Sequence, residues 1–75
     1  MLKQFKRNAP DQSILWEGPC AYVLRTRDCY EIIVHSTNCV THKPAGITEH
    51  ADRAESTCRR LNAYPRQTRQ AFGLL

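Results

Sequence analysis

Cys20-Ala21-Tyr22-Val23-Leu24-Arg25-Thr26-Arg27, followed after Asp28 by Cys29-Tyr30-Glu31-Ile32-Ile33-Val34-His35, sets the architecture of this chain. In the first segment side chains alternate in extended geometry, with Cys20, Tyr22, Leu24 and Thr26 on one face and Ala21, Val23, Arg25 and Arg27 on the other. The second segment is rich in branched and aromatic residues, which suit a pleated, half-buried surface. A reversal around Asp28 makes the pair a hairpin. Working outward, Ser36-Thr37-Asn38 is a second turn signal, and it leads into Cys39-Val40-Thr41-His42-Lys43 as a third strand. Lys43-Pro44-Ala45-Gly46 then reads as a type I turn that ends the sheet. The connections are too short for crossovers, so the meander is antiparallel.

Beyond the sheet, the Thr48 hydroxyl is placed to cap a helix beginning near Glu49, with Glu49 and Asp52 at its positive end. Ala51, Ala54, Cys58 and Leu61 fall on one stripe of that helix. Glu49 with Arg53 and Glu55 with Arg59 are acid-before-base pairs, each worth about 0.2–0.5 kcal/mol. Pro65 disfavours helical geometry at Tyr64, so the helix is expected to end at 62–64. The expected fold is α+β: a three-stranded antiparallel meander, covered on one side by a single C-terminal amphipathic helix. Ile14-Leu15-Trp16, cut off by Gly18-Pro19, is either a brief edge strand or a lid on the core. Residues 1–13 read as a flexible basic arm, 14–64 as one compact domain, and 65–75 as a basic tail or a short second helix over Gln67–Phe72.

The chain has 75 residues, 41% of them apolar, four Cys and one Trp, which permits one small core and no large enclosed cavity. No run approaches the ~20 apolar residues needed to cross a bilayer, and polar residues interrupt every candidate signal sequence near the start. These features lead us to expect a cytoplasmic protein with reduced thiols. Cys20, Cys29, Cys39 and Cys58 are widely spaced, and Cys39-Val40-Thr41-His42 is the only short Cys–His interval, so zinc held by these five residues is a minor alternative. No Gly-rich phosphate loop or hydrolase motif is present, and His50 and Cys58 are too far apart on one helix for direct activation of a thiol. Neither catalysis nor a cofactor is expected.

Binding remains. Residues 56–75 contain Arg59, Arg60, Arg66 and Arg69 and no acid, so the whole net charge of +4 lies there. The leading expectation is a non-enzymatic regulator or inhibitor that docks on a protein partner. It would use a sheet edge, or the Arg59, Arg60, Arg66, Arg69 surface with Tyr64 and Phe72 as anchors, since Arg and Tyr carry much interface energy. The alternative is a DNA- or RNA-binding module using Arg25 and Arg27 on the strand face together with the C-terminal arginines. Unpaired sheet edges also allow a homodimer. In size and style alone the chain resembles the small accessory proteins of phages and mobile elements, which implies host nucleic-acid machinery as a class of target.

Overall fold

The computed structural model describes residues 13–75; Lys3, Lys6 and Arg7 of the expected arm lie outside them. Four strands, β1 (Ser13–Leu15), β2 (Ala21–Arg25), β3 (Tyr30–His35) and β4 (His42–Thr48), form one antiparallel sheet in the order β1-β2-β3-β4. Two helices follow, α1 (Ala51–Ala63) and α2 (Pro65–Ala71). The α+β class holds, with one strand and one helix more than expected.

The β2–β3 hairpin has the expected location, pairing Tyr22 with Ile33 and Val23 with Ile32. Its turn is tighter than the alternation implied, because Thr26 N–H donates to the Cys29 carbonyl at 2.9 Å. Arg27 therefore sits in the turn and shares no strand face with Arg25. Ile14 and Leu15 pair with Leu24 and Val23, which settles the edge-strand alternative in favour of β1.

The Lys43-Pro44-Ala45-Gly46 reading is corrected: these residues lie inside β4, and Cys39 lies in the preceding turn. Gly46 pairs with Ile32 and Pro44 with Ile33, so Ala45 is the extra residue of a bulge. Proline and bulge suit an edge strand, where a missing N–H interrupts no inner ladder and the kink discourages further pairing. The same two residues serve a turn or a defended edge, and pairing with β3 made the choice.

In α1 the middle of the expected stripe is buried, with Ala54 and Cys58 nearly inaccessible and Leu61 packed beside them, while Ala51 at its start is only half-buried. Glu55 and Arg59 form their ion pair at 2.6 Å. The N-cap is His50 and not Thr48; the Thr48 hydroxyl instead accepts the His50 N–H at 3.1 Å. Pro65 ends α1 as expected and opens α2 at its first position, where its missing N–H is harmless. Residues 65–71 are thus helix. The Thr68 hydroxyl donates to the Leu61 carbonyl at 2.8 Å and so caps the end of α1. Beyond α2, Gly73 is left-handed at φ 70°, Gly73 N–H reaches the Gln70 carbonyl, and Leu74 N–H reaches the Arg69 carbonyl at 2.7 Å. This Schellman closure turns Leu74 into the core.

Both faces of the sheet are apolar and buried, not one. Ala21, Val23, Ile32 and Val34 meet Ala54, Cys58 and Leu74 on the helix side. Tyr22, Leu24 and Ile33 form a second cluster with Ile14 and Cys39. Cys20 precedes the strand and joins the helix-side cluster, so strand alternation placed it on the wrong face.

Candidate functional site

The expected docking residues divide into outward and inward sets. Tyr64 stands at the elbow between α1 and α2, where the following Pro65 disfavours helical geometry and the backbone leaves the helix (φ −135°, ψ 75°), and the residue is 65% exposed. Arg60, one turn earlier, and Arg66, two residues later, are both exposed, and neither forms an ion pair among the described residues. Arg59 is exposed but shares its charge with Glu55. Arg69 is turned inward: its Nε donates to the His35 carbonyl at 3.1 Å and its Nη2 to the Pro19 carbonyl at 2.7 Å, clamping α2 to the sheet. Phe72 packs on the core. These two corrections have one cause, since α2 folds back onto the sheet instead of trailing as a tail.

Arg25 and Arg27 are exposed at the other end of β2. Asn62, at the end of α1, touches Cys20 and Ala21, so the elbow lies at the Ala21 end, about 13 Å along the strand from Arg25. The two arginine groups do not merge into one basic field. Between the residues following β1 and α1 runs a shallow groove of about 270 Å³, lined by Trp16, Glu17, Pro19, Glu55, Cys58 and Arg59 among others. Trp16 holds a left-handed backbone (φ 49°) there, and its carbonyl accepts the Cys58 thiol proton at 3.0 Å.

The five residues considered for zinc are dispersed. Cys20 and Cys58 lie in the helix-side core, Cys29 in the hairpin turn, and Cys39 and His42 toward the opposite face, so among the described residues no three ligating groups converge. All four cysteines are free of disulfides. Burial pushes the Cys58 thiol up to about 11, with Cys20 nearby adding to the effect, and burial likewise raises Cys20. Both thiols donate to carbonyls, Cys20 to Leu61 at 3.3 Å and Cys58 to Trp16.

A different group does assemble. His35 is 5% exposed, and the rings of Tyr22, His35 and His42 lie with centroids about 6 Å apart. Burial holds His35 below the ordinary histidine value, against the opposing influence of its bond to the Ser36 carbonyl. Cys39 Sγ is 3.7 Å from His35 Nδ1. Spacing along the chain did not disclose this group, although the strand parity of Tyr22 and the hairpin register were available to place it opposite the helices.

No protein-family model, no curated protein and no solved structure matches this chain. Among the described residues, no helix is long and apolar enough to cross a membrane.

Proposed function

We propose that this chain is a non-enzymatic binding protein, a regulator or inhibitor, that docks an acidic surface of a protein partner on the elbow between α1 and α2. The observation that carries the reading is Tyr64, a large aromatic left 65% exposed between Arg60 and Arg66 in a segment without acidic residues. Packing of α1 and α2 on the sheet fixes the backbone that carries this tyrosine, so a partner that covers it has only the side chain to order. Aromatic anchors ringed by arginine are the usual carriers of interface energy, while the flanking charges steer encounter and discriminate among partners.

A protein fits better than nucleic acid. A phosphate-tracking surface collects many cations on one face, whereas here Arg25 and Arg27 stand at the far end of the sheet, Arg69 is committed to carbonyls and Arg59 to Glu55. A photo-crosslinking side chain at position 64, with a control at exposed Ile47 beside the start of α1, tests the proposal in host extract. The expected outcome is a discrete protein adduct from position 64, absent from position 47, weakened by salt and lost on Arg60→Glu with Arg66→Glu. An adduct that nuclease destroys, or one that survives both charge reversals, overturns the reading.

A further inference from the structure

We propose that the second face of the sheet is a docking surface for the chain's own residues 1–12, which cross it as a third layer and seat Leu2 and Phe5 on the cluster of Tyr22, Leu24 and Ile33. The part of that face that is buried carries this, independently of the docking surface at the elbow.

A sheet cannot bury its own outward side chains, and an apolar face stays dry only when another element packs on it. Ala54, Cys58 and Leu74 pack on the opposite face, against Ala21, Val23, Ile32 and Val34. Tyr22, Leu24 and Ile33 are nevertheless buried, and so is His35, which shares their face. Among the described residues, the apolar side chains packed on this cluster are Ile14, beside Leu24, and Cys39, beside His35. They border the cluster and leave its outward surface to a further element.

The boundary of the burial marks where that element runs. Ile47 is the cross-strand neighbour of Glu31 and Pro44 that of Ile33, so both β4 residues share this face. Ile33 is 8% exposed, whereas Ile47 is 66% exposed and Pro44 is exposed as well. Cover therefore extends over β2 and β3 and stops short of β4.

The chain itself supplies an occupant from the β1 side. Residues 1–12 join the sheet at Ser13, the first residue of the edge strand β1, two strand spacings or about 10 Å from β3. A segment of this length spans about 18 Å when wound into a helix and about 40 Å when extended, so it crosses β2 and β3 in either form. Leu2 and Phe5 provide apolar surface, and Lys3, Lys6 and Arg7 give such a layer a charged outer side. Electrostatics points the same way. Burial is the main cause that holds the His35 imidazole below its ordinary value, and the charge of the amino terminus is among the lesser ones. A charge at the start of the chain acts on His35, in β3, only if residues 1–12 run toward it.

The test places a photo-crosslinking benzophenone side chain at position 5 of the full chain, and in a second variant at position 2, and maps adducts by peptide mass spectrometry. Both variants keep an apolar group at the substituted position, so the fold is not at stake in them. At least one is expected to crosslink within its own chain, to the peptide carrying Tyr22 and Leu24 or to that carrying Ile33 and His35, with a yield unchanged on dilution. Leu2→Ser combined with Phe5→Ser should lower the urea midpoint and raise the fluorescence of a dye that reports apolar surface. Ile47→Ser, on the same face but outside the cover, should change neither. Adducts confined to α1, adducts that join two chains, no adduct from either position, or an Ile47→Ser response equal to that of the Leu2 and Phe5 variant overturns the proposal.

Discussion

Asn62 is expected to be the polar side chain whose loss costs this fold most. β1 pairs with β2 only as far as Val23, so Ala21 lies past the end of its neighbour strand. The Asn62 carboxamide takes the place of that neighbour: Oδ1 accepts from Ala21 N–H at 2.7 Å and Cys20 N–H at 2.8 Å, and Nδ2 donates to the Ala21 carbonyl at 3.0 Å. Cys20 and Ala21 are both 0% exposed. Asn62→Ala strands three backbone groups, each costing about 1–3 kcal/mol when left buried and unpaired. Water entering from the adjoining groove relieves part of this, which points to the low end, about 3 kcal/mol in all. For a domain of this size each kcal/mol lowers Tm by about 4–8 °C, so the variant should melt at least about 12 °C below the parent. Thermal melts by far-UV circular dichroism give the number, and urea midpoints give the free energy. Gly18 supplies an internal check, because a Cβ there would fall 2.1 Å from Asn62 Nδ2. Gly18→Ala should therefore destabilise the parent and do far less in the Asn62→Ala background. A Tm loss below about 4 °C for Asn62→Ala, or additive effects of the two substitutions, would refute the reasoning.

Four further outcomes follow from the structure. Gly73→Ala meets no steric obstacle closer than Lys43 Nζ at 3.5 Å, so its cost is conformational, about 1–2 kcal/mol by chemical denaturation, and an unchanged midpoint would contradict the left-handed closure of α2. Arg69→Lys should cost about 1–2 kcal/mol in the same assay, since an ammonium cannot reproduce the paired bonds to the Pro19 and His35 carbonyls. As pH falls below 6.5, the unfolded chain protonates His35 before the folded one does, so the urea midpoint should fall with pH until the depressed folded-state value is passed. His35→Phe should flatten that slope. At the alkaline end the Cys58 thiol ionises near 9.0 unfolded and about 11 folded, so its stabilisation is complete below 9.0 and is lost as pH rises through 11. Thiolate absorbance appearing from Cys58 in the folded chain near pH 9.0 would contradict this.

Much of the architecture was legible because local physics and the fold agreed. The β2–β3 hairpin announced itself through alternation and branched residues, and the buried stripe of α1 through its spacing. Pro65 marked the helix boundary. The misreadings share a different character: Pro44 and Gly46 carry a turn signal that edge pairing with β3 overrode, and Arg27 alternates correctly for a strand that the Thr26–Cys29 bond had already ended. At the site, Tyr64 and Arg60 were readable as exposed groups near a helix end. The inward clamp of Arg69 was not, because nothing in its neighbours along the chain says that α2 returns to the sheet.

The order of residues was enough to specify an antiparallel sheet, a helix with an apolar stripe, and a C-terminal segment bearing all the net positive charge. These properties arise from backbone preference and periodicity over a few residues, and need no knowledge of distant neighbours. Which arginines face solvent, which strand is an edge, and which thiol stands against an imidazole were settled only when Asn62, Arg69 and Leu74 closed the helices onto the sheet. Those contacts join groups up to 50 residues apart. Their geometry is a property of the packed whole, since it depends on every intervening element having already found its place.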